Sequence, residues 1–314
     1  MTDQSRLDGV FTALVTPFTA TGGIDWPAFD ALIERQIEAG IDGLVPVGTT
    51  GEAATLSTDE AEAVIARTVA RAKGRAYILA GTGSNSTAKT LEATRRATDL
   101  GADGVLVVTP YYNKPSQPGL VAHFGAVADA TPLDVVLYSV PGRTGIAIAP
   151  ETAGRLSADH ANIVAIKEAG GDAARVSDLR RAAPGLAVHC GDDGLALAFF
   201  ALGAVGLTSV FSNFDPQICI ALHHAWKRGD HDLALAIHDT LRPAAEAMFI
   251  ENSPAPVKYA ISTEGFAPIH VRLPLAEMSA ASVETVNRIL AEFRAKRPAF
   301  IADQGALRAA RVSV

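Results

Sequence analysis

Eight short apolar runs, separated by segments of helical period, limit what this chain can fold into. They are "FTALVTPF" (11–18), "DGLVPVG" (42–48), "AYILAG" (76–81), "DGVLVVTP" (103–110), "DVVLYSVP" (134–141), "IVAIKEAG" (163–170), "LAVHCG" (186–191) and "GAVGLTSV" (203–210). Short apolar runs bounded by glycine, proline and polar residues read as buried strands. The eighth carries the weakest signal, because its glycines dilute it.

The intervening segments have helix start and stop chemistry. "WPAFDALIERQIEAG" (26–40) has Pro27 near its start and ends in Gly40. In "STDEAEAVIARTVARAKG" (57–74), Ser57 stands three residues before Glu60, a capping-box pattern. "NSTAKTLEATRRATDLG" (85–101) has the same period and also ends in glycine. Strand–helix alternation implies parallel strands joined by right-handed crossovers. Eight such units in roughly 210 residues predict an α/β fold of the TIM (β/α)8 barrel type. A doubly wound open sheet is the runner-up, disfavoured by the strand count and even spacing.

After the eighth run the pattern turns helical over 215–230, 231–250 and 279–296. The expected organisation is a barrel core over 1–214, a C-terminal helical appendage over 215–296 and an Ala/Arg-rich extension or arm over 297–314.

Composition narrows the function. The 314 residues are 48% hydrophobic and 19% charged, with a net charge of -7. An acidic chain is poorly suited to a phosphate backbone, so no nucleic-acid partner is expected. No segment reads as a signal peptide or a bilayer span, so no membrane partner is expected either. The two cysteines, Cys190 and Cys219, lack metal-ligand spacing and read as small core residues in a reducing, cytoplasmic compartment. The eight histidines form no metal motif, and "GTGSN" (81–85) lacks a full dinucleotide fingerprint. No metal and no nucleotide cofactor are expected.

In a barrel of this kind the active site gathers at the C-terminal ends of the strands. Five predicted strand ends carry polar residues: "GTTGE" (48–52), "TPYYNKP" (109–115), "YSVPGRTG" (138–145), Lys167, and "GDDG" (191–194). Lys167 is the least expected, because lysine is rarely buried without a partner. Alternation places Ile163, Ala165 and Lys167 on one strand face, with Val164, Ile166 and Glu168 on the other. Facing the interior, Lys167 would be desolvated and its pKa lowered. An amine brought from about 10.4 towards about 7–8 becomes a usable nucleophile for a carbonyl, giving a Schiff base. The strand alone leaves a second reading equally open: a lysine paired with a carboxylate or reaching solvent.

"GTTGE" offers hydroxyls and backbone N–H groups to an anion, or is a plain turn with a threonine cap. Tyr111 and Tyr112 are adjacent and point apart; Tyr138 ends a strand with its phenol free for proton relay. Each tyrosine also reads as a packed amphipathic ring. Arg143 suits a carboxylate, or is ordinary surface.

Taken in order, "LVTPF", "GTTGEAATLS", "AGTGSNST", "VTPYYNKPSQPGL", "VPGRTG", "IKEAGG", "GDD" and "PAPVKYA" resemble the dihydrodipicolinate synthase (4-hydroxy-tetrahydrodipicolinate synthase) family, within the N-acetylneuraminate lyase superfamily of class I aldolase barrels. The resemblance covers about residues 8–294. It implies condensation of pyruvate with L-aspartate 4-semialdehyde without a cofactor. It implies that Lys167 forms the Schiff base and Tyr138 orients the imine and relays protons. Thr49 would link Tyr138 to Tyr112, the latter reaching into a neighbouring subunit of a homo-oligomer, a dimer of dimers. Thr50 would hold the pyruvate carboxylate, Arg143 the carboxylate of the second substrate, and Gly191 and Thr208 would line the pyruvate pocket.

The resemblance also implies an allosteric lysine pocket at Asn85, Tyr111, Ala61 and Lys89. Ala61 replaces a histidine of the family pattern and Lys89 a glutamate, which implies weak lysine feedback. Ser139, Gly170, Thr208 and Ser253 depart from the pattern without removing a catalytic group. Two rivals are another pyruvate-dependent aldolase (for sialic acid, a keto-deoxy sugar acid or 4-hydroxy-2-oxoglutarate) and a non-catalytic carboxylate-binding barrel. Arg143 and the pair Tyr111–Tyr112 favour the synthase over the first, and the full set Lys167, Tyr138, Thr49 and Tyr112 speaks against the second.

Overall fold

Eight parallel strands pair in sequence order and close on themselves in the computed structural model, which describes residues 4–301. They are β1 Gly9–Ala13, β2 Gly43–Val45, β3 Tyr77–Gly81, β4 Gly104–Val108, β5 Asp134–Ser139, β6 Ile163–Glu168, β7 Ala187–Cys190 and β8 Gly206–Ser209. The ring closes where Phe11 of β1 pairs with Thr208 of β8. All eight apolar runs therefore contain a strand. The first run overshoots its strand: the Leu14 N–H still donates to the Val45 carbonyl at 3.1 Å, but the Val15 N–H turns to Asn213 Oδ1 at 3.0 Å. The stretch Leu14–Phe18 lies buried beyond β1, with Phe18 forming an isolated antiparallel bridge to Ile24.

The glycines that dilute the eighth run are required by packing. A Cβ on Gly206 would lie 2.6 Å from the Gly9 carbonyl oxygen and 2.7 Å from the His189 ring. Strand alternation fails at one place. Val135 and Val136 of β5 pair with Ile163 and Ala165, skipping Val164, so a bulge interrupts β6. Ile163 consequently packs in the outer layer, and Val164 joins Ala165 in the interior cluster. The expectation that Ile163 shares a face with Lys167 is thus corrected, while Ala165 and Lys167 keep theirs.

Helices α1 Trp26–Ala39, α2 Thr58–Ala72, α3 Thr87–Asp99, α4 Gln117–Asp129, α5 Pro141–Thr144, α6 Pro150–Asp159, α7 Ala174–Ala182 and α8 Ala196–Ala201 fill the connections between the strands, with α5 and α6 both between β5 and β6. Their ends follow local chemistry. The Asp25 side chain accepts from the Ala28 N–H to open α1, and Gly40 closes it with φ 85°. Ser57 and Glu60 form the reciprocal capping box of α2. Beyond the barrel come α9 Pro216–Lys227, α10 His231–Ala247, α11 Ala255–Ser262, α12 Ala280–Lys296 and α13 Pro298–Ile301. Helix α11 is not anticipated by the sequence pattern. Helix α9 packs on β1 and α10, and α10 on α12. Of the expected extension over 297–314, the residues to Ile301 include α13; 302–314 lie outside the described residues. Among the described residues no helix is long and apolar enough to cross a membrane.

Two apolar layers result. The larger lies between strands and helices and includes Val10, Leu44, Ile78, Val105, Leu137 and Ile166. The smaller fills the barrel with Phe11, Leu79, Leu106, Val136, Ala165 and Ala187.

Candidate active site

Lys167 sits near the C-terminal end of β6, between Tyr138 of β5 and His189 of β7 in the strand register. It is 5% exposed, and its Nζ lies 4.3 Å from the centre of the Tyr138 ring. Among the described residues no carboxylate forms an ion pair with it. Glu168, next in the chain, points through the opposite face, where it is fully buried and pairs with Arg175 at 3.0 Å. Burial raises the Glu168 pKa, against the opposing pull of Arg175. Of the two readings that the strand leaves open, the paired or solvent-reaching lysine does not describe Lys167.

That reading describes a different lysine. Lys258, in α11, is fully buried and paired with the equally buried Glu52. Desolvation lowers its pKa to about 8, against the raising effect of Glu52. The sequence signal for it is a lone cation in "PAPVKYAI", where Ala255, Pro256, Val257, Ala260 and Ile261 are all buried. The two buried lysines differ in what faces them. Each lies over an aromatic ring, Phe18 for Lys258 and Tyr138 for Lys167, but among the described residues only Lys258 also meets a carboxylate.

The wall around Lys167 is kept thin on one side. A Cβ on Gly191, just past β7, would lie 3.0 Å from Lys167 Cε, 2.7 Å from the Ala169 Cβ and 3.1 Å from the Glu168 carbonyl oxygen. Below, the buried His189 accepts at one nitrogen and donates at the other. Its Nε2 lies 2.5 Å from the Leu7 carbonyl, which can only accept. The proton is therefore on Nε2, and Thr208 Oγ1, 3.2 Å from Nδ1, donates to it. Burial pushes the His189 pKa down to about 4, so the ring is neutral at pH 7. His189 is absent from the residues singled out by sequence; a histidine inside an apolar run was its only signal.

Tyr138 and the turn after it are held by β4. The Thr109 N–H donates to the Tyr138 carbonyl at 3.0 Å, and its hydroxyl to Thr144 Oγ1 at 3.3 Å. Thr144 in turn donates to the Ile146 carbonyl at 2.9 Å. This fixes α5, on which Arg143 is exposed to solvent. Of the "GTTGE" pair, Thr50 is buried and Thr49 exposed. Their turn closes through Gly51 N–H to the Gly48 carbonyl at 3.0 Å and Glu52 N–H to the Thr49 carbonyl at 3.1 Å. The aspartates of "GDDG" serve the scaffold: Asp193, buried, accepts from Ser209 and from the N–H groups of Val210 and Phe211 at 2.9 and 3.2 Å.

Tyr112 does not reach Lys167 in its own chain. It is 91% exposed, with φ 72°, a conformation unfavourable for a tyrosine. Tyr111 is also exposed. Asn113 from the same loop donates to the Asn85 carbonyl at 2.8 Å, which joins this loop to the start of α3, where Lys89 is exposed. Ala61 packs against the core from α2. The structure thus brings Lys167, Tyr138 and Gly191 together, ties Thr208 to them through His189, and leaves Thr49, Arg143 and Tyr112 solvent-facing in the single chain. Chemically, an unpaired amine in an apolar wall beside a phenol suits attack on a small carbonyl compound.

Residues 6–293 match the Dihydrodipicolinate synthetase family. A 4-hydroxy-tetrahydrodipicolinate synthase of Exiguobacterium sp. (strain ATCC BAA-1283 / AT1b) is 47% identical over 290 residues, covering 92% of this chain and 99% of that protein. The structure of the 4-hydroxy-tetrahydrodipicolinate synthase from Methylacidiphilum fumariolicum SolV superimposes with a TM-score of 0.90 at 44% identity, covering 92% of this chain and 96% of that one. A dihydrodipicolinate synthase from Acinetobacter baumannii, solved in complex with pyruvate, gives 0.89 at 41% identity, covering 91% and 98%.

Proposed function

Because the chain belongs to the dihydrodipicolinate synthetase family, we infer that it condenses pyruvate with L-aspartate 4-semialdehyde to 4-hydroxy-tetrahydrodipicolinate by way of a Schiff base. Its place is in lysine and diaminopimelate biosynthesis, in the cytoplasm. The observation that carries this reading is Lys167: 5% exposed, unpaired by any described carboxylate, and set against Tyr138 at the mouth of the barrel.

Lys167 attacks the pyruvate ketone, and loss of water gives the imine. The imine withdraws electrons, so a methyl proton leaves and an enamine forms. The enamine carbon attacks the aldehyde of the second substrate, whose own amine then displaces Lys167 and closes the ring. Tyr138, against the lysine, relays protons to and from the reacting atoms. Thr50 binds the pyruvate carboxylate, Arg143 the carboxylate of the second substrate, and Gly191 and Thr208 line the pocket. Thr49 and the partner subunit's copy of the Tyr112 side chain extend the relay. The exposure and strained backbone of Tyr112 support such a shared site, and with it a homo-oligomer assembled as a dimer of dimers.

Borohydride reduction in the presence of pyruvate tests this reading. One reduced pyruvyl group on the Lys167 peptide is the expected product. Labelling at another lysine, or none while the enzyme turns over, would refute the assignment.

A further inference from the structure

Directly after Thr49, Thr50 and Gly51 stands Glu52, with φ 57°. This left-handed conformation is costly for a residue with a side chain, and persists only where the surroundings over-determine it. Here they do. One carboxylate oxygen accepts from Lys258 Nζ and the other from the Arg272 N–H at 2.9 Å. Lys258 also donates to the His270 carbonyl at 2.8 Å. Both Lys258 and Arg272 lie 4.2 Å from the centre of the buried Phe18 ring.

Arg272 reaches further. Its guanidinium donates to the Gly22 carbonyl at 3.0 and 2.7 Å, to the Thr55 carbonyl at 2.9 Å, and to both Glu60 oxygens at 2.7 and 2.5 Å. From the barrel side, the Thr16 hydroxyl donates to the Gly51 carbonyl at 2.8 Å. The turn 48–52 is therefore clamped between the loop after β1 and a segment some two hundred residues later. A buried ion pair is weak support for stability, since apolar residues of like volume often do as well. What it supplies here is direction: two oxygens with fixed donors admit one orientation of Glu52, and the turn follows.

We propose that Glu52, Lys258 and Arg272 are positioning residues through which the segment after the barrel sets the turn bearing Thr49 and Thr50, and so the site of the pyruvate carboxylate. The proposal rests on pyruvate being the first substrate. It touches only one of the two substrates, because Arg143 lies on α5, outside the network.

The full-length chain carries the test in two variants. Arg272→Ala removes the outer bonds and leaves the Glu52–Lys258 pair. Glu52→Gln combined with Lys258→Met removes the buried charges together, so neither is stranded. Steady-state kinetics are measured well below each melting temperature. The expected result is a pyruvate KM raised at least fivefold in Arg272→Ala and more in the double variant, with the KM for aspartate semialdehyde within twofold of the parent. Parent-like pyruvate KM in folded Arg272→Ala, or an equal change in both KM values, overturns the proposal, whether or not the double variant folds. Absence of pyruvate trapping in the parent chain overturns the assignment of function itself, and is read without either variant.

Discussion

The Cβ that Gly191 lacks would sit 3.0 Å from Cε of Lys167. It would also press on the Ala169 Cβ at 2.7 Å, a contact between two rigid atoms that cannot be relieved by a rotamer change. The Lys167 side chain and the backbone of the neighbouring strand end therefore share one small volume. Gly191→Ala should displace the lysine together with the backbone just past the ends of β6 and β7. A fall in kcat/KM for pyruvate of at least tenfold is expected, about 1.4 kcal/mol of transition-state stabilisation. Far-ultraviolet circular dichroism should be unchanged. Parent-like kinetics in a folded Gly191→Ala protein would show that the lysine has more room than this geometry allows.

The two buried lysines should respond oppositely to loss of charge. Lys167→Met removes an amine that no described carboxylate pairs with, and puts an apolar chain in an apolar wall. Activity should vanish while stability rises by about 1 kcal/mol, the trade-off expected of a residue kept for chemistry. Lys258→Met strands the buried Glu52 carboxylate. It should destabilise by about 3–5 kcal/mol, the cost of breaking a buried pair from one side. Urea denaturation of both variants decides it; two losses of similar size would contradict the contrast.

How legible this was in the sequence depended on what each residue was doing. Glycine-capped and Ser57-capped helices were readable because capping is local chemistry between residues three or four apart. Lys167 was readable because a cation in an apolar run is conspicuous. Lys258 carries the same signal, but its meaning lies in Glu52, 206 positions away, and no local pattern joins them. His189 went unmarked for a like reason: its partners, Leu7 and Thr208, are brought to it only by barrel closure. The bulge that turns Ile163 outward depends on the register of β5, which the β6 sequence does not encode alone. Gly206 reads as a weak strand former until the backbone it packs against is seen.

Acid should weaken the network around Arg272. The hydrogen bond from Arg272 is the main reason that the Glu60 pKa falls from 4.5 to about 2, against a smaller cost of burial. The folded-state pKa lies below the unfolded one. The stabilising contribution is thus complete above about pH 4.5 and is lost as the pH falls through about 2. Glu60→Gln cannot titrate. The stability gap between parent and Glu60→Gln should therefore be widest near neutrality and shrink steadily below about pH 4.5. Urea midpoints at pH 7, 4.5 and 3 measure it, and a gap that does not change with pH would remove Glu60 from the account.

Tyr112 offers the sharpest test of assembly. A tyrosine 91% exposed, on a backbone with φ 72°, gains nothing from its own chain that would explain the strain. The Asn113–Asn85 bond holds its loop in place without burying the ring. If that ring completes a neighbour's site, a Tyr112→Phe subunit still carries an intact Lys167, and a Lys167→Ala subunit still carries an intact Tyr112. In a mixed dimer, one of the two sites then combines the good lysine with the good tyrosine. Each parent variant should be nearly inactive alone. After co-refolding in equal amounts, random pairing makes about half of the dimers mixed, each with one complete site of two, so about a quarter of the full activity should return. Native mass spectrometry reports whether mixed dimers form. Mixed dimers no more active than their parents would show that each chain builds its site alone.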